Sequence, residues 1–345
     1  MLDDLKYIHS KDVQDALGVA EKQYLQLTYK FDLSGLPKTF NSPSNVVYAG
    51  MGGSSLAAYL IETWPKCTVP FEICRNYSVP EYVNENTLFI CSSYSGNTEE
   101  TIAALEDAIK RKAKIVVIAG GGKLQEIASK YKLPFILLPK ATQPRYAVMY
   151  NFVAAINILE KAKLTNAKNI TKQLATTSKN LQKYQESWLP LVAKNKNPAK
   201  QLALELIGTT PVVYSGQALA PAAYKWKISF NENAKNVAWQ GIYSEFSHNE
   251  FIGWSSHPTN KPYSIIDLIS DYDHPQINKR IKITSKLLSG NRPHPQTVKA
   301  QGKTVLDQLL STVLFGDFTS IYLALLNGVN PTPVDLVEKM KLELI

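Results

Sequence analysis

Cysteine is scarce: the chain has 345 residues and only Cys67, Cys74 and Cys91. They form neither an even disulfide framework nor a CxxC pair, which excludes a disulfide-stapled fold and a thiolate zinc site and points to a reducing setting. No run approaching about 20 apolar residues is evident, so no membrane span is expected. The opening Met1-Leu2-Asp3-Asp4-Leu5-Lys6 is acidic where a secretory signal needs a basic start. There is no GxSxG elbow, no HExxH and no Walker loop ending in Gly-Lys-Ser/Thr, so nucleophilic and metal-dependent hydrolysis lack their usual residues. The net charge is +9, but the lysines are scattered, no dense basic arm exists, and the 18 tyrosines lack an RNA-binding pattern. These absences describe a cytoplasmic protein with no metal, no cofactor, and no nucleic-acid or membrane partner. A phosphorylated metabolite is the simplest match to the positive charge.

Hydrophobic residues make up 45% of the chain, and its length suits two domains. β-Branched runs at Asn45–Ala49, Phe71–Cys74, Thr87–Cys91, Lys114–Ala119 and Pro134–Leu138 predict strands. Helical spacing at Ser55–Thr63, Glu99–Arg111 and Leu124–Tyr131 falls between them. Such alternation predicts a parallel sheet covered on both faces. A polar, helical stretch from about Ala147 to Lys200 reads as a connection, after which the pattern restarts: a strand at Pro211–Ser215, Gly216, and a helix from about Ala218. Further strands are expected at Val237–Trp239, Ser264–Ile269 and Thr297–Ala300, with helices at Ile277–Leu288 and Val305–Leu326. The fold class is thus α/β, with two tandem doubly wound, flavodoxin-like parallel-sheet domains. Expected bounds are 1–160 with a leading helix, a helical connection over 161–199, and 200–345 with a terminal helix.

Two segments fall where a strand ends and a helix begins, the place where open α/β sheets bind ligands. Gly50-Met51-Gly52-Gly53-Ser54-Ser55 would let backbone approach an anion at a helix start. Alone it is equally a packing turn or a dinucleotide loop, the latter with Glu72 as ribose acid. In the second segment Ser92, Ser93, Ser95, Asn97 and Thr98 crowd around Gly96 before Glu99 and Glu100. A phosphate monoester suits so many hydroxyls and amides. Helix capping by Asn97 with Glu100 explains one or two of them and no more. Glu99 and Glu100 would repel a phosphate, so they are expected to face solvent.

The pair Gly-Met-Gly-Gly-Ser and Ser-Tyr-Ser-Gly-Asn-Thr-Glu-Glu-Thr resembles the sugar-isomerase (SIS) domain, specifically the bifunctional phosphoglucose/phosphomannose isomerases. Matches continue through Gln143-Pro144-Arg145, Asn231-Glu232-Asn233-Ala234-Lys235, His248-Asn249-Glu250, Gly253-Trp254, Gly316-Asp317-Phe318, Gly328-Val329-Asn330-Pro331-Thr332-Pro333 and Lys341. Ser55, Tyr146 and the run Ser244–Ser247 depart from the family pattern. The resemblance implies an aldose–ketose isomerase acting on glucose 6-phosphate, mannose 6-phosphate and fructose 6-phosphate.

That reaction needs a base to move a proton between neighbouring carbons, a partner for the enediolate, and an acid–base group for ring opening. Glu232, at the expected end of a helix, is the economical base; Phe230 and Val237 would desolvate it, although alone it could equally be a surface carboxylate. Among five histidines, His9, His257, His274 and His294 lack a comparable context, which leaves His248 for ring opening. Arg145 would hold the enediolate or orient the base; a phosphate contact or an ion pair is its rival role. Lys341 reads as an ordinary helix-surface lysine, and only the resemblance gives it a ring-opening role. Gly52, Gly53, Ser54, Ser93, Ser95 and Thr98 are the expected phosphate contacts. The resemblance further implies a homodimer in which the histidine comes from the other subunit. A sugar-phosphate sensor on the same domain is the rival reading, but no helix-turn-helix segment is evident; a nicotinamide-dependent enzyme using Gly50–Gly53 is a third.

Overall fold

A computed structural model of the chain describes residues 1–256 and 262–343, so His257 lies outside the described residues. The chain divides into two compact units, Lys22–Lys179 and Met1–Glu21 with Asn180–Ile345. The first segment of the latter carries helices α1 (Leu5–Lys11) and α2 (Ala16–Glu21). Asp4 caps α1, and the Asp12 carboxylate accepts the N–H groups of Ala16 and Leu17 at 2.7 and 2.9 Å, satisfying donors that a helix start leaves open.

The unit Lys22–Lys179 contains β1 (Asn45–Ala49), α3 (Gly52–Thr63), β2 (Phe71–Cys74), β3 (Thr87–Ser93), α4 (Glu99–Lys110), β4 (Lys114–Ala119), α5 (Gly122–Tyr131), β5 (Phe135–Leu137), α6 (Val148–Lys161) and most of α7 (Ile170–Gln185). Its strands pair in parallel in the order β2-β1-β3-β4-β5. All of β3 is buried, as expected of a central strand covered on both faces. The strand order reverses between β1 and β3, so the carboxyl ends of these two strands form the crevice in which this architecture places ligands.

The other unit continues with α8 (Pro198–Leu206), β6 (Thr210–Ser215), α9 (Ala220–Glu232), β7 (Trp239–Ile242), α10 (Tyr243–Phe246), α11 (Glu250–Gly253), β8 (Tyr263–Ile269), α12 (Pro275–Leu287), β9 (Gln296–Lys299), α13 (Val305–Leu326) and α14 (Asp335–Glu343). Its four strands are also parallel, in the order β7-β6-β8-β9, with the reversal between β6 and β8. The α/β class with two parallel doubly wound sheets is therefore as expected from sequence.

Two expectations need correction. The segment from Ala147 is no connection: α6 buries Val148, Met149, Phe152, Val153, Ile156 and Ile158 in the five-stranded unit. Its apolar residues occur too densely for a solvent-facing linker. Nor is a span-length apolar helix lacking. α13 has 22 residues and a mean hydropathy of 1.7 over its most apolar window, with 94% of that window buried inside the protein. Every residue from Leu306 to Leu325 is buried, so α13 is the core helix of its unit, apolar all round because it is covered all round. Its one glycine, Gly316, is there for contact. A Cβ at that position would lie 2.3 Å from Trp226 Nε1 of α9, whose indole donates to the Thr312 carbonyl at 2.8 Å.

Candidate active site

Three loops meet at the carboxyl edge of the five-stranded sheet. β1 ends in Gly50, whose added Cβ would stand 2.8 Å from the Ser92 carbonyl oxygen, so only glycine lets these loops touch. The Ser54 hydroxyl then accepts the Tyr94 N–H at 3.0 Å and ties the glycine segment to the serine segment. The Tyr48 phenol, which burial keeps protonated, donates to the Ser54 carbonyl at 3.2 Å. The third loop, Gly120-Gly121-Gly122 after β4, was missed from sequence, although three glycines after a β-branched strand were a visible signal. It accepts the second loop closely: Gly120 N–H bonds to the Tyr94 carbonyl, Leu124 N–H to the Gly96 carbonyl, and Lys123 N–H to Asn97 Oδ1 at 2.9 Å. Gly96 itself sits at φ +71°, where a side chain is strained, and its Cβ would collide with the Gly121 carbonyl.

The hydroxyls divide into two kinds. Ser92 is fully buried and donates to Asn151 Oδ1 of α6 at 2.7 Å, which removes it from the set available to a ligand. Ser55, also buried, bonds back to the Gly52 carbonyl. Ser93, Ser95 and Thr98 form the other kind. Ser93 Oγ lies 2.8 Å from Thr98 Oγ1 and 3.5 Å from Ser95 Oγ, and takes the Gly96 N–H at 3.2 Å. The capping explanation fails here: the residue that starts α4 is Thr98, not Asn97, and no side chain caps the helix. α3 and α5 likewise begin without a side-chain cap. At α5 the Lys123 and Leu124 N–H groups are already taken by Asn97 Oδ1 and the Gly96 carbonyl, so it is the open N–H groups and dipoles at the starts of α3 and α4 that leave an anion-attracting rim lined by hydroxyls. Glu99 faces solvent as expected, within 3.4 Å of the Tyr77 hydroxyl, whereas Glu100 is half-buried. Glu72, the acid a dinucleotide reading requires, is exposed and takes the Tyr82 hydroxyl at 2.6 Å.

Arg145 belongs to the same edge. It lies in a 3-10 turn, Pro144–Tyr146, and is 1% exposed. A Cβ at Gly53 would be 3.0 Å from the Pro144 carbonyl and 3.1 Å from the Arg145 nitrogen, so the glycine loop and the arginine turn are in direct contact. Tyr146, a departure from the family pattern, is fully buried; its ring lies 4.9 Å from the Arg145 guanidinium and its carbonyl accepts Gln26 Nε2 at 2.6 Å. A small residue there would leave the guanidinium without this wall. The Tyr94 hydroxyl, bonded to both backbone groups of Ala141, holds the segment leading into the turn. This unit thus gathers Gly52, Gly53, Ser54, Ser93, Ser95, Thr98 and Arg145 at one sheet edge.

The remaining candidates lie in the four-stranded unit. Glu232 is the last residue of α9 and half-buried. The expected desolvation by Val237 does not occur, because Val237 is 61% exposed, while Phe230 packs inward on Trp226. Instead α9 is held from its buried side by a polar ladder that sequence reading did not find. The Lys225 ammonium pairs with the Asp317 carboxylate, the Ser229 hydroxyl donates to the same oxygen at 2.8 Å, and Asn233 Nδ2 donates to Ser320 Oγ at 2.9 Å. His248 lies exposed in the turn between α10 and α11, and among the described residues its ring has no hydrogen-bond partner. Lys341 is exposed on α14, paired with Glu338 at 2.8 Å, and α14 buries no residue.

The four-stranded unit repeats the strand–glycine–helix turn at Ser215-Gly216-Gln217, but its anion place is taken. Asp273, from the loop after β8, puts Oδ1 on the Ala218 N–H at 2.9 Å, and a Cβ at Gly216 would clash with the same carboxylate. Among the described residues, this turn thus holds a carboxylate where the matching turn of the five-stranded unit is surrounded by hydroxyls.

The description "bacterial phospho-glucose isomerase C-terminal SIS domain" matches residues 195–344. A bifunctional phosphoglucose/phosphomannose isomerase of Caldicellulosiruptor bescii is 36% identical over 301 residues, covering 86% of this chain and 88% of that one. One of Aquifex aeolicus is 32% identical over 337 residues, covering 96% and 99%. Among solved structures, a glucose-6-phosphate isomerase like protein from Thermus thermophilus superposes with a TM-score of 0.64 at 18% identity, covering 97% of this chain and 99% of that one, which supports the fold. The glycine turn packed on a serine loop and the identity maintained across nearly the whole length lead to one assignment: the chain belongs to the bifunctional phosphoglucose/phosphomannose isomerase family.

Proposed function

We propose that this protein interconverts glucose 6-phosphate and mannose 6-phosphate with fructose 6-phosphate by a proton transfer through an enediolate. The observation that carries the reading is the uncapped start of α4: Thr98 turns its hydroxyl to Ser93, and the helix N–H groups are left for an anion. The phosphate rests on the Gly52–Gly53 backbone and on Ser54, Ser93, Ser95 and Thr98. Arg145, pressed against Gly53, stabilises negative charge developing on the enediolate oxygen; its burial in a protein environment of low dielectric strengthens that effect. Glu232 takes the proton from one carbon and returns it to the neighbour. His248 accepts the anomeric proton and, with Lys341, returns one to the ring oxygen.

The exposed ring of His248, without a partner among the described residues, supports a homodimer in which each copy supplies this histidine to the other. The three free thiols support a reducing, cytoplasmic location. The sensor and nicotinamide readings find no comparable support, since the relatives above are named as isomerases. The test is a coupled assay of fructose 6-phosphate formation from each aldose. Turnover of both is expected, with inorganic phosphate competing; phosphosugar binding without turnover would return the sensor reading.

A further inference from the structure

The two sheets differ by one strand. In the five-stranded unit β4 is followed by α5 and β5 before the core helix α6, whereas in the four-stranded unit β9 ends at Lys299 and α13 begins at Val305. The helix–strand pair is absent, and β9 is left as a free edge. In a parallel ladder each residue turns its N–H and C=O to one side, and the side alternates along the strand. Ala300 N–H bonds to the Ile269 carbonyl, so Gln296, Val298 and Ala300 face β8 while Thr297 and Lys299 face outward. Among the described residues the outward main-chain groups of Thr297 and Lys299 have no partner. Their counterparts on β4 do: Val117 N–H bonds to the Pro134 carbonyl and the Ala119 carbonyl accepts Leu138 N–H, both at 2.9 Å, from the two ends of β5.

A cavity of about 620 Å³ opens beside this edge, lined by Trp188, Leu202, Val298 and Phe315 together with Gln201 and Thr312. Trp188 and Phe315 stack edge to face at 5.1 Å, and the buried Trp188 Nε1 has no hydrogen-bond partner. The Lys299 ammonium, which would otherwise guard the edge, is engaged with Asp271 at 3.3 Å. Every residue in this feature belongs to one unit, and none is among the proposed catalytic or phosphate-binding groups.

We propose that the β9 edge and its cavity accept a fifth parallel strand from a protein partner: an extended segment with an apolar residue at its centre. The occupant's chemistry is read from β5, which fills the equivalent position with Phe135-Ile136-Leu137 and buries Ile136. Strand addition of this kind takes affinity from main-chain bonds and selectivity from the pocket that receives the alternate side chain. Here Thr297 and Lys299 supply the main-chain bonds, and the cavity floored by Trp188 and Phe315 receives the central side chain.

The probe is an acetylated peptide carrying residues 133–140 of this chain with added C-terminal lysines, titrated into the full-length protein. Amide exchange of Thr297 and Lys299 is followed by NMR, and slowing by at least about tenfold at saturation is expected. Thr297→Pro removes an outward donor without touching the β8 ladder, a position where an edge strand tolerates proline. Gln201→Trp fills the cavity from an exposed helix position. Loss of the slowing at Lys299 in both variants, and at Thr297 as well in Gln201→Trp, is the expected result with isomerase turnover intact, since proline leaves no amide at 297 to read. The proposal is overturned if the wild-type amides do not slow, if slowing is confined to β4 and β5, or if it survives in both variants. Amides that are already protected without peptide and become exposed on dilution would overturn the partner in favour of a second copy of the chain.

Discussion

Replacing Lys225 by methionine removes one charge from a pair that no water reaches. The Lys225 and Asp317 side chains are 1% and 0% exposed, and the Ser229 hydroxyl is shared between them, accepting from Lys225 at 2.7 Å and donating to Asp317 at 2.8 Å. The single variant leaves the Asp317 carboxylate buried without its counter-ion, a loss of about 3–5 kcal/mol. That is a large share of the roughly 5–15 kcal/mol that holds a domain folded. Adding Asp317→Leu removes the orphan charge but leaves the Ser229 hydroxyl without these two partners, at about 1–3 kcal/mol. Only the triple variant Lys225→Met, Ser229→Ala, Asp317→Leu exchanges the whole cluster for apolar contacts, and it should recover stability to within about 1 kcal/mol of wild type or better. Urea unfolding followed by tryptophan fluorescence reads the series, because Trp226 lies in the same helix. A single Lys225→Met variant as stable as wild type would refute the reasoning, and so would a triple variant no better than the single.

The loop contacts and the plugged second turn give two further outcomes. Gly96→Ala forces a side chain into the Gly121 carbonyl at positive φ, so the serine loop must move off the glycine loop; the KM for glucose 6-phosphate should rise at least about tenfold, or about 1.4 kcal/mol, and an unchanged KM would separate this loop from phosphate binding. Burial holds the Asp273 carboxyl above its ordinary 3.8, against the pull of the Ala218 N–H, and Oδ2 is buried without a partner. A raised folded-state value stabilises fully below pH 3.8 and is lost as pH rises through that value. The unfolding free energy of wild type relative to Asp273→Asn should therefore fall between acid and neutral pH, and a difference flat with pH contradicts the assignment.

Strands and their parallel pairing were legible because β-branched runs such as Lys114–Ala119 end at glycine turns; most runs became strands within a residue or two, but the one expected at Val237–Trp239 shares only Trp239 with β7. The first cradle was legible for the same local reason: glycines and hydroxyls must lie next to the strand end they serve. What escaped involves partners far apart in the chain. Nothing near Asp273 announces that it occupies the turn at Gly216, and nothing near Lys225 points to Asp317; both depend on tertiary packing that one-dimensional periodicity does not carry. α6 was misread as connection because the polar segment after it was averaged with its apolar one. Ser92 looked equivalent to Ser93 and Ser95 in a run of hydroxyls. The strand alternation turns it inward to Asn151, and that became clear only once the length of β3 was known.

Glu232 carries the central claim, since a family and a phosphate cradle say where a sugar is held and a base says what happens to it. Glu232→Gln keeps the size and the helix end while removing the basic oxygen, and the coupled assay on glucose 6-phosphate and mannose 6-phosphate compares it with wild type at equal fold content. For both sugars kcat is expected to fall by about 10²–10⁴ while phosphosugar binding is retained; turnover of either sugar by the variant at the wild-type rate would remove Glu232 as the base.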